Sequence, residues 1–488
     1  MINNIQLNKV QVAILFFLLF FSLTPLAFAT NYYVNGSNGD DSYNGLYETY
    51  QGGSNGPLKT LAKAANAVSA GANTINVAAG TYNERVIDNK NGVSDGNYRW
   101  WKANGTVNMQ GFASYADYWR ISGFTIETVT AGDLGYGIKL GSGSDYWIIE
   151  NNTLHDCVGI GIFIWQSNHI TVNNNTIVRC AEAGISSNGE YNTIQDNDIS
   201  DTRNTVKGVT PAASQADGIR VFGGYGTYKG NYIHDISYAH QTCNGDMGGC
   251  NTTYEPPHID AFQTWGKTVD QPVVNNAVFE KNHVVLMERA IHKNTALHGF
   301  MVNGGAHDVT FKNNIFEVHN FFNSGNTFSV KPYNLYFYNN TFRSSLSFSS
   351  DPYPWAGCFV FTGVTGTVEI KNNITVDFPY AHYEKDSTTD ATIIQRNNDI
   401  FNSDGSTPVM RGMSADATDL WKQNALFATQ WTDLQLQSTS PCKDAGITIT
   451  SITDDYAGNS RPQGTGYDIG AYEIPSKPSP PNNLKRLN

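Results

Sequence analysis

Two short runs, QADGIRVFG (215–223) and HIDAFQTWG (258–266), align residue for residue and bring two aspartates, an arginine and a histidine together. The alignment sets Asp217 beside Asp260, Arg220 beside Gln263, Phe222 beside Trp265 and Gln215 beside His258. If both runs are strands of one sheet, the two carboxylates lie one strand apart, roughly 5 Å. Carboxylates that close repel, so either one keeps a proton or the pair holds a cation such as Ca2+. Three chemistries fit. β-Elimination or C5 epimerisation of a uronic acid needs one group to neutralise the sugar carboxylate and another to remove the adjacent proton. Arg220, Gln263 or a Ca2+ on Asp217 and Asp260 suits the first role, and His258 the second. Hydrolysis would use one aspartate as acid and the other as base or nucleophile, with retention favoured at this separation. Simple glycan binding would use the flat faces of Trp265, Trp165 and Phe163. A purely structural use competes with all three, because an aspartate entering a strand also caps the preceding turn.

The elements that position these residues are announced by a recurring asparagine. Nine apolar stretches end on Asn152, Asn175, Asn197, Asn231, Asn282, Asn314, Asn340, Asn373 and Asn398, at steps of 23, 22, 34, 51, 32, 26, 33 and 25 residues. A repeat this short cannot bury its own apolar face, so it must stack on its neighbours as a solenoid of β-coils. Alternation in GIKLG, GIFIWQ, GISSNG, GIRVFG, AFQTWG and GFMVNG points Ile138, Ile162, Ile185, Ile219, Phe262 and Phe300 inward. The stacked amides are expected to hydrogen-bond along the solenoid as a ladder. The two longest insertions, TRNTVKGVTPAASQ and SYAHQTCNGDMGGCNTTYEPP, lead directly into Asp217 and His258, where they would wall a binding face. A charged turn, Glu288 to Lys293, adds Arg289 and Lys293 as possible substrate contacts, or simply a solvated loop.

The flanks define the remaining organisation. Residues 1–29 carry Lys9, an apolar run and Ala27-Phe28-Ala29, the pattern of an export signal, so a secreted or periplasmic protein is expected. Residues 30–117 form a cap and first coils, with GPLKTLAKAANAVSAG predicted as a helix carrying Pro57 in its first turn and Gly71 at its C-cap. Coils follow over 118–400, a terminal cap over 401–474 and a Pro-rich tail over 475–488. A net charge of -12 disfavours nucleic acid and anionic membranes as partners. Six cysteines are too few for a disulfide framework. Cys243 and Cys250 are the best candidate bridge, whereas Cys157 and Cys180, one coil apart, are either bridged or paired buried thiols.

The start GPLKTLAKAANAVSAGANTINVAAGTYNE, the G-I-x-L and NN coils, and the ending SPCKDAG to DIGAYE resemble secreted bacterial right-handed parallel β-helix proteins of the pectate-lyase-like superfamily. The resemblance spans most of residues 30–474 and implies an all-β parallel β-helix with a capping helix, holding an extended polysaccharide in a groove along one sheet. The superfamily's polygalacturonase and alginate-epimerase signatures are absent; ADGIR (216–220) matches only one element of the former. The leading expectation is therefore a monomeric, exported lyase or C5 epimerase of a uronate-containing glycan. A hydrolase and a non-catalytic glycan-binding protein are the alternatives, and no cofactor beyond Ca2+ is implied.

Overall fold

The computed structural model describes residues 29–130, 132, 135–207, 215–237, 258–266, 268, 270–286, 297–324, 330–344, 357–429 and 432–475. Cys243, Cys250, Arg289 and Lys293 lie outside them. The chain is a right-handed parallel β-helix. A typical coil supplies one strand, such as Ile138–Leu140, to a 12-stranded sheet and two, Ile148–Glu150 and Thr153–His155, to a 24-stranded sheet. Neighbouring coils pair in parallel and in register, so Ile138, Ile162, Ile185, Ile219, Phe262 and Phe300 form one continuous inner row. All six are fully buried, which confirms the inward face read from the alternation.

The asparagine doublet has two separate jobs. The first residue of each corner adopts the left-handed backbone: Asn151 (φ 55°), Asn174 (52°), Asp196 (53°), Gly230 (63°), Lys281 (54°) and Asn313 (54°). Asn, Asp and Gly tolerate that region best, so the first position varies among them, with Lys281 the exception. The second residue is buried and builds the ladder. Each amide Nδ2 donates to the next Oδ1 at 2.9–3.1 Å from Asn152 through Asn398, and the series ends on Asp419. Asn282 shows what one rung contributes. Its amide donates to Asn314 Oδ1 (3.0 Å) and Tyr228 O (2.8 Å), and its Oδ1 accepts from Asn231 N (3.1 Å) and Nδ2 (3.0 Å). Asn282→Ala strands several buried polar groups at once and is expected to cost about 4 kcal/mol, measured as a lower midpoint in urea unfolding.

The helix spans Leu61–Ala67, shorter than the predicted segment. Thr60 is its N-cap, accepting from Lys63 N, and Val68 its C-cap, so neither Pro57 nor Gly71 takes the predicted position. The reason is upstream pairing: Leu58 N donates to Tyr33 O (2.9 Å), which holds residues 57–58 against the first strand. Leu61, Ala64 and Ala65 are buried in the core of the first coils. Cys157 and Cys180 resolve as free, buried thiols.

The C-terminal segment runs back along the corners of the later coils. Asn313, Asn339, Asn372 and Asn397, all corner residues, donate to the carbonyls of Asp454 (2.8 Å), Asp468 (3.2 Å), Ile447 (2.7 Å) and Ala445 (2.8 Å). Their corner position therefore reads the returning chain as well as turning the backbone.

Candidate active site

The strands Ala183–Asn188, Asp217–Phe222, Ile259–Thr264 and Leu297–Val302 are consecutive neighbours in the 12-stranded sheet. Their register places Ala183 beside Asp217, Arg220 beside Gln263, and Asp260 beside His298. Gln215 bridges to His258, as the alignment of the two runs requires. Asp217 and Asp260 thus stand on adjacent strands, and both are fully buried.

Each carboxylate has one oxygen engaged and one free. Arg220 Nε donates to Asp217 Oδ2 (2.9 Å), and His298 Nδ1 lies 2.8 Å from Asp260 Oδ1. Asp217 Oδ1, Asp260 Oδ2, both amide atoms of Gln263 and His298 Nε2 are buried with no hydrogen-bond partner among the described residues. Five orphaned polar atoms on three neighbouring strands would be a heavy penalty in a merely structural cluster. They form a buried polar cluster whose free donors and acceptors match the hydroxyl and carboxyl groups of a sugar.

The electrostatics separate the two aspartates. Burial, opposed by Arg220 and reinforced by Asp260, pushes the Asp217 carboxyl up to about 8. Asp217 is thus a proton donor at neutral pH. Its neighbour holds an imidazole. A proton on Nδ1, shared with Asp260 Oδ1, leaves the lone pair on Nε2, the arrangement of an oriented general base. Ca2+ does not fit this donor set. It takes six to eight oxygens, whereas among the described residues the two aspartates offer one unpartnered oxygen each, Gln263 adds one, and the Arg220 guanidinium already lies on Asp217.

The remaining predicted residues divide into two groups. Trp265 belongs to the cluster: Arg220 sits over its ring at 5.3 Å, Phe222 meets it edge-on at 4.8 Å, and its Nε1 donates to Gln271 Oε1 (2.8 Å). Phe163 and Trp165 stand apart from the aspartates. Phe163 lies two strands from Arg220, stacked on Tyr136 (4.5 Å) and Trp165 (5.8 Å). His258 is exposed, and the imidazole on the aspartate pair is that of His298 instead. The sequence reading missed His298, although the signal was present: it precedes Phe300 by two, as Asp260 precedes Phe262 and Asp217 precedes Ile219. Glu182 was missed as well. Its backbone is left-handed (φ 66°), its carbonyl accepts from Asp217 N (2.9 Å), and its Oε2 lies 3.3 Å from Arg220 Nη1.

A family model described as a right-handed beta helix region matches residues 71–210 and 107–245. No protein of curated function matches the chain. Among solved structures, the complex of XylC with xylose is similar at 11% identity and a TM-score of 0.56, over 91% of this chain and 98% of that one. Pectate lyase Pel9A aligns at 18% identity and a TM-score of 0.40, covering 91% and 96%. The GH136 lacto-N-biosidase from Eubacterium ramulus aligns at 12% and 0.47, covering 76% and 67%. At these identities the likeness is one of fold.

Proposed function

We propose that this chain, a right-handed parallel β-helix protein of the pectate-lyase-like type, is an exported enzyme that cleaves a uronate-containing polysaccharide by β-elimination. The observation that carries the reading is the buried Asp260 and His298 pair, with Nδ1 held at 2.8 Å and Nε2 without a hydrogen-bond partner among the described residues. Glycoside hydrolases ordinarily work with two carboxylates, whereas an imidazole oriented by a carboxylate suits removal of a proton next to a carboxylate. A related scaffold holding a sugar, XylC with xylose, supports a glycan as the ligand.

The step balances with the residues at hand. Arg220 and the Gln263 amide hold the uronate carboxylate and stabilise charge that develops on it. His298 Nε2 takes the C5 proton, a double bond forms between C4 and C5, and the C4–O4 bond breaks. Asp217, protonated because burial disfavours its charged form, gives its proton to the departing O4. The proton on His298 then returns through solvent to Asp217, which restores both groups. If Asp217 instead gives its proton to C5 from the opposite face while O4 stays bonded, the same residues yield the epimer, and proton exchange with solvent resets both groups. Product analysis separates the two outcomes.

Incubation of the full-length chain with pectic, alginate and glucuronan polymers is expected to generate the ultraviolet absorbance of an unsaturated uronide with at least one of them. New reducing ends without that absorbance would replace elimination by hydrolysis, with Asp217 as the acid. Binding without any turnover would leave a glycan-binding protein.

A further inference from the structure

Arg220 is gripped from several directions, but not equally. Nε is tied to Asp217 Oδ2 at 2.9 Å and Nη2 to the Glu182 carbonyl at 3.1 Å, both rigid parts of the scaffold. Among the described residues Nη1 meets one oxygen of the Glu182 side chain, at 3.3 Å. A side chain designed for a permanent ion pair closes more tightly, as Arg179 does on Asp156 with two bonds of 2.8 and 2.9 Å. Exposure points the same way. The Glu182 side chain is 42% exposed, whereas that of Arg220 is 9% exposed and that of Asp217 is fully buried. Glu182 is therefore the most exposed of the three, and its carboxylate meets the guanidinium at Nη1.

We infer that Glu182 is a placeholder: its carboxylate occupies the site of the substrate's uronate carboxylate on Arg220 and swings aside when the glycan binds. A loose, single-oxygen contact from a half-exposed side chain is weak enough to exchange. Without it, an empty site would leave a nearly buried cation with one of its faces bare. The exchange also discriminates. A neutral sugar has nothing to give Arg220 in return for Glu182, so the competition filters for anionic residues. Because the backbone of Glu182 is held by Asp217 N and Arg220 Nη2, the swing is confined to its side chain.

This inference rests on the uronate reading above, and the test keeps the two apart. The probes are uronate oligosaccharides prepared from pectin and from alginate, with neutral xylo-oligosaccharides as the control. Binding is measured by titration calorimetry on the full chain carrying His298→Ala, with and without Glu182→Gln. Steady-state rates compare the wild type with Glu182→Gln alone. Removing the competing charge should tighten uronate binding about fivefold, lower KM by a similar factor, leave kcat within about twofold and leave the neutral control unchanged. Unchanged or weaker uronate binding in Glu182→Gln, or a drop in kcat of more than about tenfold, would overturn the placeholder role while the uronate reading stands. If neither protein binds any uronate, the uronate reading itself fails, and the placeholder falls with it.

Discussion

His298→Ala is expected to lose elimination activity by about 10²–10⁴-fold while its far-ultraviolet circular dichroism stays that of the parent. Among the described residues the His298 side chain makes one hydrogen bond, Nδ1 to Asp260 Oδ1. The fold therefore loses one hydrogen bond, whereas the reaction loses its base. The contrast is His258→Ala, at an exposed residue just before the strand Ile259–Thr264, which should retain near-full activity. Asp260→Asn should cost nearly as much as His298→Ala, because an amide no longer fixes the tautomer with the lone pair on Nε2. The double variant should be little worse than either single one, the signature of two groups acting as a unit. Full activity in His298→Ala with folding intact would remove the proposed base.

Asp217→Asn is expected to make the protein more stable and inactive. The sign follows from where the proton sits. In the unfolded chain this carboxyl titrates near 3.8, and in the fold burial pushes it up to about 8. Between those values the folded state binds a proton that the unfolded state has lost, so stability falls as pH rises from about 4 to about 8 and levels off above that. An asparagine has no such proton. Wild type and Asp217→Asn should therefore melt together near pH 4 and diverge progressively, the variant leading by a few kcal/mol at most at pH 8. Thermal melts across that range test it directly. A constant difference between the two proteins would show that Asp217 is ionised in the fold. Activity should disappear in the variant throughout, and in the wild type it should decline as pH rises through about 8, where the acid loses its proton.

The two variants draw on different parts of what could be read in advance. The alignment of QADGIRVFG on HIDAFQTWG correctly set Asp217 beside Asp260 and Arg220 beside Gln263. Counting back two residues from Phe300 in the same register reaches His298. Its sequence distance from Asp260, 38 residues, hid the third member, although HGFMVNGG (298–305) follows the pattern of DGIRVFGG (217–224). His258 was the nearer histidine along the chain. It is His298, however, that the next strand delivers to Asp260.

The sequence by itself determined the scaffold: a solenoid of parallel coils, its inner row, and the amide ladder. Stacking identical units forces the same side chain into the same environment at every turn, so a periodic fold writes its geometry directly into a periodic sequence. Only the tertiary structure decided which imidazole meets the aspartate pair, that Asp217 keeps its proton, and that Glu182 covers Arg220. These depend on insertion lengths, on the degree of burial and on a left-handed backbone at one residue. Each is a property of one place in the stack, and a repeat carries no record of what happens once.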